Sequence, residues 1–321
     1  MTKLYIGIDL GGTNLKLGLV SPAGDLVAKY SWPTEARGGP DHVLGRMAQA
    51  ARHLVREANV GLSDVAAVGV GSPGQLDTKA GVVIFAPNLP GWRNVAVRDR
   101  LGEALGRTVV LENDANVAAY GEFRCGAGRE VRDMVMLTLG TGVGGGIILG
   151  GRLLRGTTDT GAELGHIIIV CGGRPCGCGS RGCLEAYTSA TAVVARAREG
   201  LSAGQTSALA SAADFSCKDV FDAAEARDPL ASRIVRETAE YLGAGITNVL
   251  HTLNPEMVVM TGGMMGAGDG FLESVRQSVR RTALERAWSA CTIRWSTLGG
   301  DAGILGAALA AEAFDRTGRP A

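Results

Sequence analysis

Four ligand-type side chains fall within eighteen positions: His166, Cys176, Cys178 and Cys183, in an H-x9-C-x-C-x4-C pattern. Three thiolates and one imidazole are the donor set of a tetrahedral zinc site. Glycines at 177, 179 and 182 allow the bends that such a knot requires. Protein fills all four positions, so a structural ion is expected; a catalytic zinc keeps one position open. The bland alternative is three buried thiols and a core histidine, which would need this spacing to be chance. There is no C-x-x-C to favour redox chemistry. Two carboxylates bracket the knot. Glu163 precedes His166 by three residues and Glu185 follows Cys183 by two. If the metal fixes both, they become rigid acceptors for hydroxyl groups, as on a sugar.

A second constellation is glycine and threonine at strand ends. Asp9-Leu-Gly11-Gly12-Thr13-Asn14 follows one apolar run, and Gly140-Thr141-Gly142-Val143-Gly144-Gly145-Gly146 follows another. Residues 140–145 match G-x-G-x-x-G, but the dinucleotide motif needs a helix next, and a short apolar run follows instead. G-x-x-x-x-G-K-[ST] is absent. The remaining expectation is two hairpin turns whose backbone N–H groups cradle phosphate with a hydroxyl nearby, against ordinary tight turns. Asp9, at a strand end beside such a turn, is placed to hold Mg²⁺ directly or through water. Asn113-Asp114 also follows a strand. Asp114 could accept the proton of an attacking hydroxyl, whereas the structural role of an Asn-Asp pair before a helix is N-capping.

Elements that could position these groups follow from periodicity. Strands are expected at 4–8, 15–20, 65–70, 82–85 and 109–112, and helices at 41–58, 95–105 and 114–124. Residues 134–139, the glycine turn and 147–149 repeat the opening strand–turn–strand, which predicts an internal duplication of two similar lobes. Beyond the knot, helices are expected at 184–199, 228–253, 269–285 and 302–314, with strands at 256–260 and 292–298. Strands alternating with helices predict an α/β protein.

Composition limits the function classes. Lys plus Arg equals Asp plus Glu at 32 each, so charge makes no case for a nucleic-acid or membrane partner. No apolar run approaches the roughly 18 residues of a membrane span, and no signal-peptide pattern opens the chain. Three of the seven cysteines cluster in the knot, a metal pattern rather than a disulfide framework. A soluble cytoplasmic protein is expected. The 48 glycines are about double the usual share; they bunch at the ends of apolar runs, where backbone would approach a ligand closely.

Together these pieces resemble the ROK family of sugar kinases and repressors, in particular its bacterial glucokinases, over nearly the whole chain. Asp9-Leu-Gly-Gly-Thr13 resembles the first phosphate loop of that family, and Gly140–Gly146 the second. Glu163-Leu-Gly-His166 followed by Cys176-x-Cys178-Gly-x-x-Gly-Cys183-x-Glu185 matches its signature residue by residue. Thr261-Gly262-Gly263 resembles its adenosine-side segment. The resemblance implies the actin-like ATPase (ribonuclease-H-like) fold, two lobes with a cleft for nucleotide and sugar. The lobes are expected to be 1–112 with 302–321, and 113–301.

By the same resemblance Asp114 is the general base. Asn113, Glu163, His166 and Glu185 bind the sugar, with Gly74 and Asn88 near it. Asp9, Gly11, Gly12, Thr13, Asn14, Gly140, Thr141, Gly142, Gly144, Gly262 and Gly263 bind ATP with Mg²⁺. The first phosphate loop begins at residue 9, which leaves no room for the helix-turn-helix of the family's repressors. The implied activity is ATP-dependent phosphorylation of a hexose at its 6-hydroxyl. Gly81–Trp92, with Ala86-Pro87-Asn88-Leu89 and Gly91-Trp92, resembles a run of the glucokinases and favours glucose. Kinases of N-acetylmannosamine, N-acetylglucosamine, fructose or allose share the signature, and a non-catalytic sugar sensor is the alternative from another class. A homodimer or homotetramer is expected.

Overall fold

The computed structural model describes residues 3–212 and 214–321. In chain order the elements are β1 (Leu4–Leu10), β2 (Asn14–Val20), β3 (Leu26–Pro33), α1 (Gly39–Glu57), β4 (Val65–Ser72), β5 (Gln75–Asp77), β6 (Val82–Phe85), β7 (Arg93–Val95), α2 (Val97–Leu105), β8 (Thr108–Asn113) and α3 (Asp114–Cys125). Then come β9 (Met134–Leu139), β10 (Val143–Leu149), β11 (Arg152–Leu153), α4 (Glu185–Thr188), α5 (Ala190–Ser202), α6 (Cys217–Glu225), α7 (Pro229–Leu253), β12 (Met257–Thr261), α8 (Gly268–Thr282), α9 (Glu285–Ser289), β13 (Thr292–Trp295) and α10 (Ala302–Thr317). Among the described residues no helix is long and apolar enough to cross a membrane.

Two five-stranded sheets repeat one pattern. The first is ordered β3-β2-β1-β4-β8 and the second β11-β10-β9-β12-β13. In each, a hairpin pair and a third strand lie to one side, and two strands parallel to the first lie to the other. The duplication expected from the two strand–turn–strand segments is present. A small sheet, β5-β6-β7, is inserted after β4.

By contacts the chain divides into two compact units. The first runs to Arg132 and adds Gly146–Ala162 and the chain from Thr297; the second is Asp133–Gly145 with Glu163–Ser296. The division falls later than 112/113, because α3 packs closely on α10 and keeps the segment after β8 with the first unit.

In the first unit, period-two alternation sorts the side chains of β1. Ile6, Ile8 and Leu10 share a core with Val43, Met47 and Leu54 of α1 and Leu101 of α2. Tyr5 faces the other way, onto Leu305 and Ala308 of α10. Gly7 and Gly69, inside strands rather than at their ends, serve backbone packing. A Cβ on Gly7 or Gly69 would collide with the carbonyl oxygens of Ile304 or Ala307, so α10 rests directly on the sheet. Gly121 and Gly306 allow the same intimacy between α3 and α10.

β3 and α6 were not expected. β3 alternates half-buried and exposed positions along an edge strand. α6 opens on a capping box of Ser216 and Asp219.

Candidate functional site

The first unit collects its polar groups at the carboxyl ends of three parallel strands, where open α/β sheets carry their function. Asp9 of β1 pairs in register with Gly71 of β4, and Ser72 of β4 with Asn113 of β8. Asp9 lies within β1, one residue before the turn. Its carboxylate meets the start of α10, where a Cβ on Gly303 would stand 3.2 Å from Oδ2. Burial pushes the Asp9 carboxyl up to about 6; Lys16, with Nζ 4.0 Å away, pulls it down, and the negative charge of Asp114 adds to the rise.

Asn113 does cap α3. Its Oδ1 accepts from the N–H groups of Ala115 at 2.9 Å and Asn116 at 3.1 Å, and its backbone is extended. Capping and sugar binding do not exclude each other, because the cap uses Oδ1 and leaves the amide Nδ2. Asp114 is the first residue of the helix. Burial raises its carboxyl above the ordinary range, against the pull of backbone N–H groups including Ala115, 2.8 Å from Oδ1. Gly74, at a left-handed φ of 99°, precedes the β5–β6–β7 insertion, and Asn88 lies within it, between β6 and β7. The Asn88 carbonyl oxygen lies 3.4 Å from where a Cβ on Gly12 would be, so Asn88 and the first turn are neighbours.

Both glycine turns are three residues long, shorter than their sequences suggest. The first is Gly11-Gly12-Thr13, closed by Gly11 N–H donating to the Asn14 carbonyl at 3.0 Å. The second is Gly140-Thr141-Gly142, closed by Gly140 N–H donating to the Gly142 carbonyl at 3.0 Å. Asn14 and Gly144 therefore belong to strands. Gly144 N–H is already donated to Thr138 Oγ1 at 3.1 Å, which corrects its expected place in the phosphate turn. Strand pairing outweighs the loop preference of a glycine run. The backbone N–H groups of Gly12, Thr13, Thr141 and Gly142 have no partner among the described residues.

In the second unit the knot forms as its spacing predicts. His166 Nδ1 lies 3.7 Å from Cys176 Sγ, and Cys178 Sγ lies 3.8 Å from Cys183 Sγ. All four donor atoms fall within 4.8 Å of one another. A tetrahedron with Zn–S near 2.3 Å has edges of about 3.8 Å, so the quartet fits zinc and no pair is at disulfide distance. His166 turns Nδ1 to the cluster, leaving Nε2 for another partner. Glu163 is exposed, with no side-chain partner among the described residues.

Glu185 ties the knot to the second turn. Its Oε1 is 3.6 Å from Cys176 Sγ, and its Oε2 accepts from Val143 N–H at 2.9 Å. One oxygen of this expected sugar acceptor is thus occupied by backbone. A Cβ on Gly142 would stand 2.5 Å from the same oxygen. Gly262, at φ 100°, packs on the carbonyl of Leu139, immediately before the turn. The Thr261–Gly263 segment, the second turn and the knot are thereby contiguous. Gly263 follows in a short 3-10 turn.

Sequence reasoning missed Glu112 and Arg155. Buried Glu112 accepts through Oε1 from Asn113 N–H and Asn116 Nδ2, both at 3.0 Å, and through Oε2 from Arg155 Nε at 2.6 Å. This pair stands directly behind Asn113-Asp114. The adjacency of Glu112 was the only signal, and nothing local marks Arg155.

The sequence profile of the ROK family matches residues 5–313. The chain belongs to the ROK family. A glucokinase of Thermotoga maritima is 40% identical over 313 residues, covering 96% of this chain and 97% of its own. The ROK hexokinase of Thermus thermophilus superposes with a TM-score of 0.86 at 37% identity, covering 98% of this chain and 99% of its own. A ROK glucokinase of Streptomyces griseus, solved with glucose and AMPPNP, gives 0.80 at 35% identity, covering 97% and 99%. With the duplicated five-strand order, this ROK chain has the actin-like ATPase fold.

Proposed function

We infer that this ROK protein transfers the γ-phosphoryl group of ATP to the 6-hydroxyl of a hexose, converting glucose to glucose 6-phosphate. Full-length similarity to glucokinases at 40% and 35% identity supports the activity. The residue roles rest foremost on one observation: Asp114 is a buried carboxyl with a raised pKa at the end of a strand and the start of a helix. A base must hold a proton more firmly than an ordinary carboxylate does if it is to take one from a hydroxyl, and burial moves the Asp114 carboxyl in that direction.

Asp114 orients the 6-hydroxyl and takes its proton as the oxygen–phosphorus bond forms and the bond from phosphorus to the bridging oxygen of ADP breaks. The amide Nδ2 of Asn113, Nε2 of His166, and the carboxylates of Glu163 and Glu185 hold the remaining hydroxyls, with Gly74 and Asn88 beside them. Gly12, Thr13, Thr141 and Gly142 donate N–H groups to phosphate oxygens, which fixes the transferring group and spreads its charge. Gly11, Gly140, Gly262 and Gly263 shape the backbone around the nucleotide. Asp9 is suited to hold Mg²⁺, since a cation offsets the burial of its charge; the ion would supply neutralisation of the phosphates. His166, Cys176, Cys178 and Cys183 would hold zinc, whose contribution is stiffness of the loop carrying the sugar ligands.

The test is coupled ADP release with MgATP and a panel of glucose, N-acetylmannosamine, N-acetylglucosamine, fructose and allose. Glucose is expected to give the highest kcat/KM. A preference for an acetamido sugar would reassign the substrate, and sugar binding without any ADP release would reject a kinase.

A further inference from the structure

The two glycine turns are held from behind in the same way. At the first, Thr34 uses both of its donors on turn carbonyls: Oγ1 donates to Gly11 at 2.6 Å and its N–H to Thr13 at 2.8 Å. At the second, one hydroxyl and one N–H do the same work from adjacent residues. Thr191 Oγ1 donates to the Thr141 carbonyl and Ala190 N–H to the Gly140 carbonyl, both at 2.8 Å. Thr34 follows β3 and Thr191 lies in the first turn of α5, so the two clasps come from unrelated elements.

A three-residue turn has few peptide planes, and each plane has its N–H and C=O opposed. Each carbonyl shares its plane with the next residue's N–H, so fixing the Gly11 carbonyl turns the Gly12 N–H away from the clasp. Fixing the Gly140 and Thr141 carbonyls does the same for the N–H groups of Thr141 and Gly142. Thr13 N–H follows in the plane between the two that Thr34 holds. The N–H groups left without partners are two adjacent ones in each turn, Gly12 with Thr13 and Thr141 with Gly142. Consecutive unpaired N–H groups form an anion-binding concavity.

We propose that Thr34 and Thr191 are positioning residues of the phosphate turns, holding the carbonyls back so that paired N–H groups are preset for the phosphates of ATP. Neither hydroxyl touches the nucleotide. The proposal rests on the assignment of the turns to ATP. It predicts a cost in nucleotide affinity and none in sugar affinity.

The variants are Thr34→Val and Thr191→Val, with Thr34→Ser and Thr191→Ser as rescues that keep the hydroxyl. Thr34 is fully buried, so its valine variant is read together with its melting curve; Thr191 is exposed, so its variant keeps the test intact. Loss of one hydrogen bond is expected to raise the dissociation constant for MgAMPPNP about five- to tenfold, with KM for ATP following. KM for glucose stays unchanged, and serine returns both to within about twofold of wild type. Unchanged MgAMPPNP affinity in Thr191→Val, in an enzyme that turns over normally, overturns the clasp alone. Serine variants as weak as the valine variants also overturn it, because packing rather than the hydroxyl would then matter. Failure of the wild type to bind MgAMPPNP at all would instead reject the assignment of the turns to ATP.

Discussion

At the scale of single residues, two carboxylates with raised pKa values carry opposite consequences. Asp114 must be ionised to act, and burial lifts its carboxyl. The acid limb of kcat should therefore lie above the range of an ordinary carboxylate. Asp114→Asn removes the proton acceptor while keeping shape, so kcat should fall about 10²- to 10⁴-fold with sugar affinity retained. A pH–rate profile of the wild type and single-turnover rates of the variant check both; near-normal kcat would remove Asp114 from the chemistry. Asp9 has a folded pKa of about 6 against an ordinary 3.8. Below the ordinary value both states are protonated and it costs nothing. As pH rises the unfolded chain ionises first, so Asp9 destabilises the fold progressively, reaching its full cost above 6. Asp9→Asn should raise Tm at pH 8, and the gain should shrink as pH falls through 6 toward 4. Adding MgATP should stabilise the wild type more than the variant. A gain independent of pH would show that burial of charge is not the cause.

At the scale of elements, glycine sets the spacing. α3 and α10 touch through Gly121 and Gly306, whose absent Cβ atoms would collide with the carbonyls of Ala302 and Val117. Gly121→Ala gains helix propensity but forces that crossing apart, and overpacking of about 1–3 kcal/mol should win. Gly45, exposed in α1 with nothing near its absent Cβ, provides the opposite sign: Gly45→Ala should stabilise by about 0.5–1 kcal/mol. Thermal melts of the two variants decide. The same glycines show what a sequence can carry. The clustering of the Cys–His quartet, the strand-end placement of Asp9 and the cap by Asn113 were legible because each depends on residues close together in the chain. Gly121 was not, since its need for space comes from a helix that starts 181 residues later. Glu112 with Arg155 and Thr191 with Thr141 are hidden for the same reason: each half is an ordinary residue until the fold joins them. α6 went unread, although the capping box of Ser216 and Asp219 marks its start. The second turn was misjudged in length because Gly144-Gly145-Gly146 looks like loop until ladder hydrogen bonds claim it.

At the scale of the molecule, the contacts concentrate within two units, and only the second contains the knot. A structural zinc should then stabilise locally rather than uniformly. Residues 166–184 have no long helix or strand, and their backbone bonds are short-range turns and isolated bridges, among them Leu184 to Ile167, Ile169 to Gly182, Gly182 to Arg174 and Cys176 to Ser180. Removing the ion frees three thiols and an imidazole at close quarters and releases those bonds together. The effect should travel through Glu185, which grips Val143 N–H, and through Ala190 and Thr191, which grip the second turn. Hydrogen exchange of the zinc-loaded protein against chelator-treated protein should therefore show lost protection at the amides of Ile169, Cys176, Gly182 and Leu184 and, more weakly, at Val143 and Ala190. Amides of β1, β4 and β8 should keep theirs. Cys178→Ser should reproduce the pattern without chelator, with zinc absent by metal analysis and KM for glucose raised. If protection fell equally across the chain, the ion would be supporting global stability. If it changed nowhere, zinc would have no place in the knot, and the proposed stiffening of the sugar ligands would go with it.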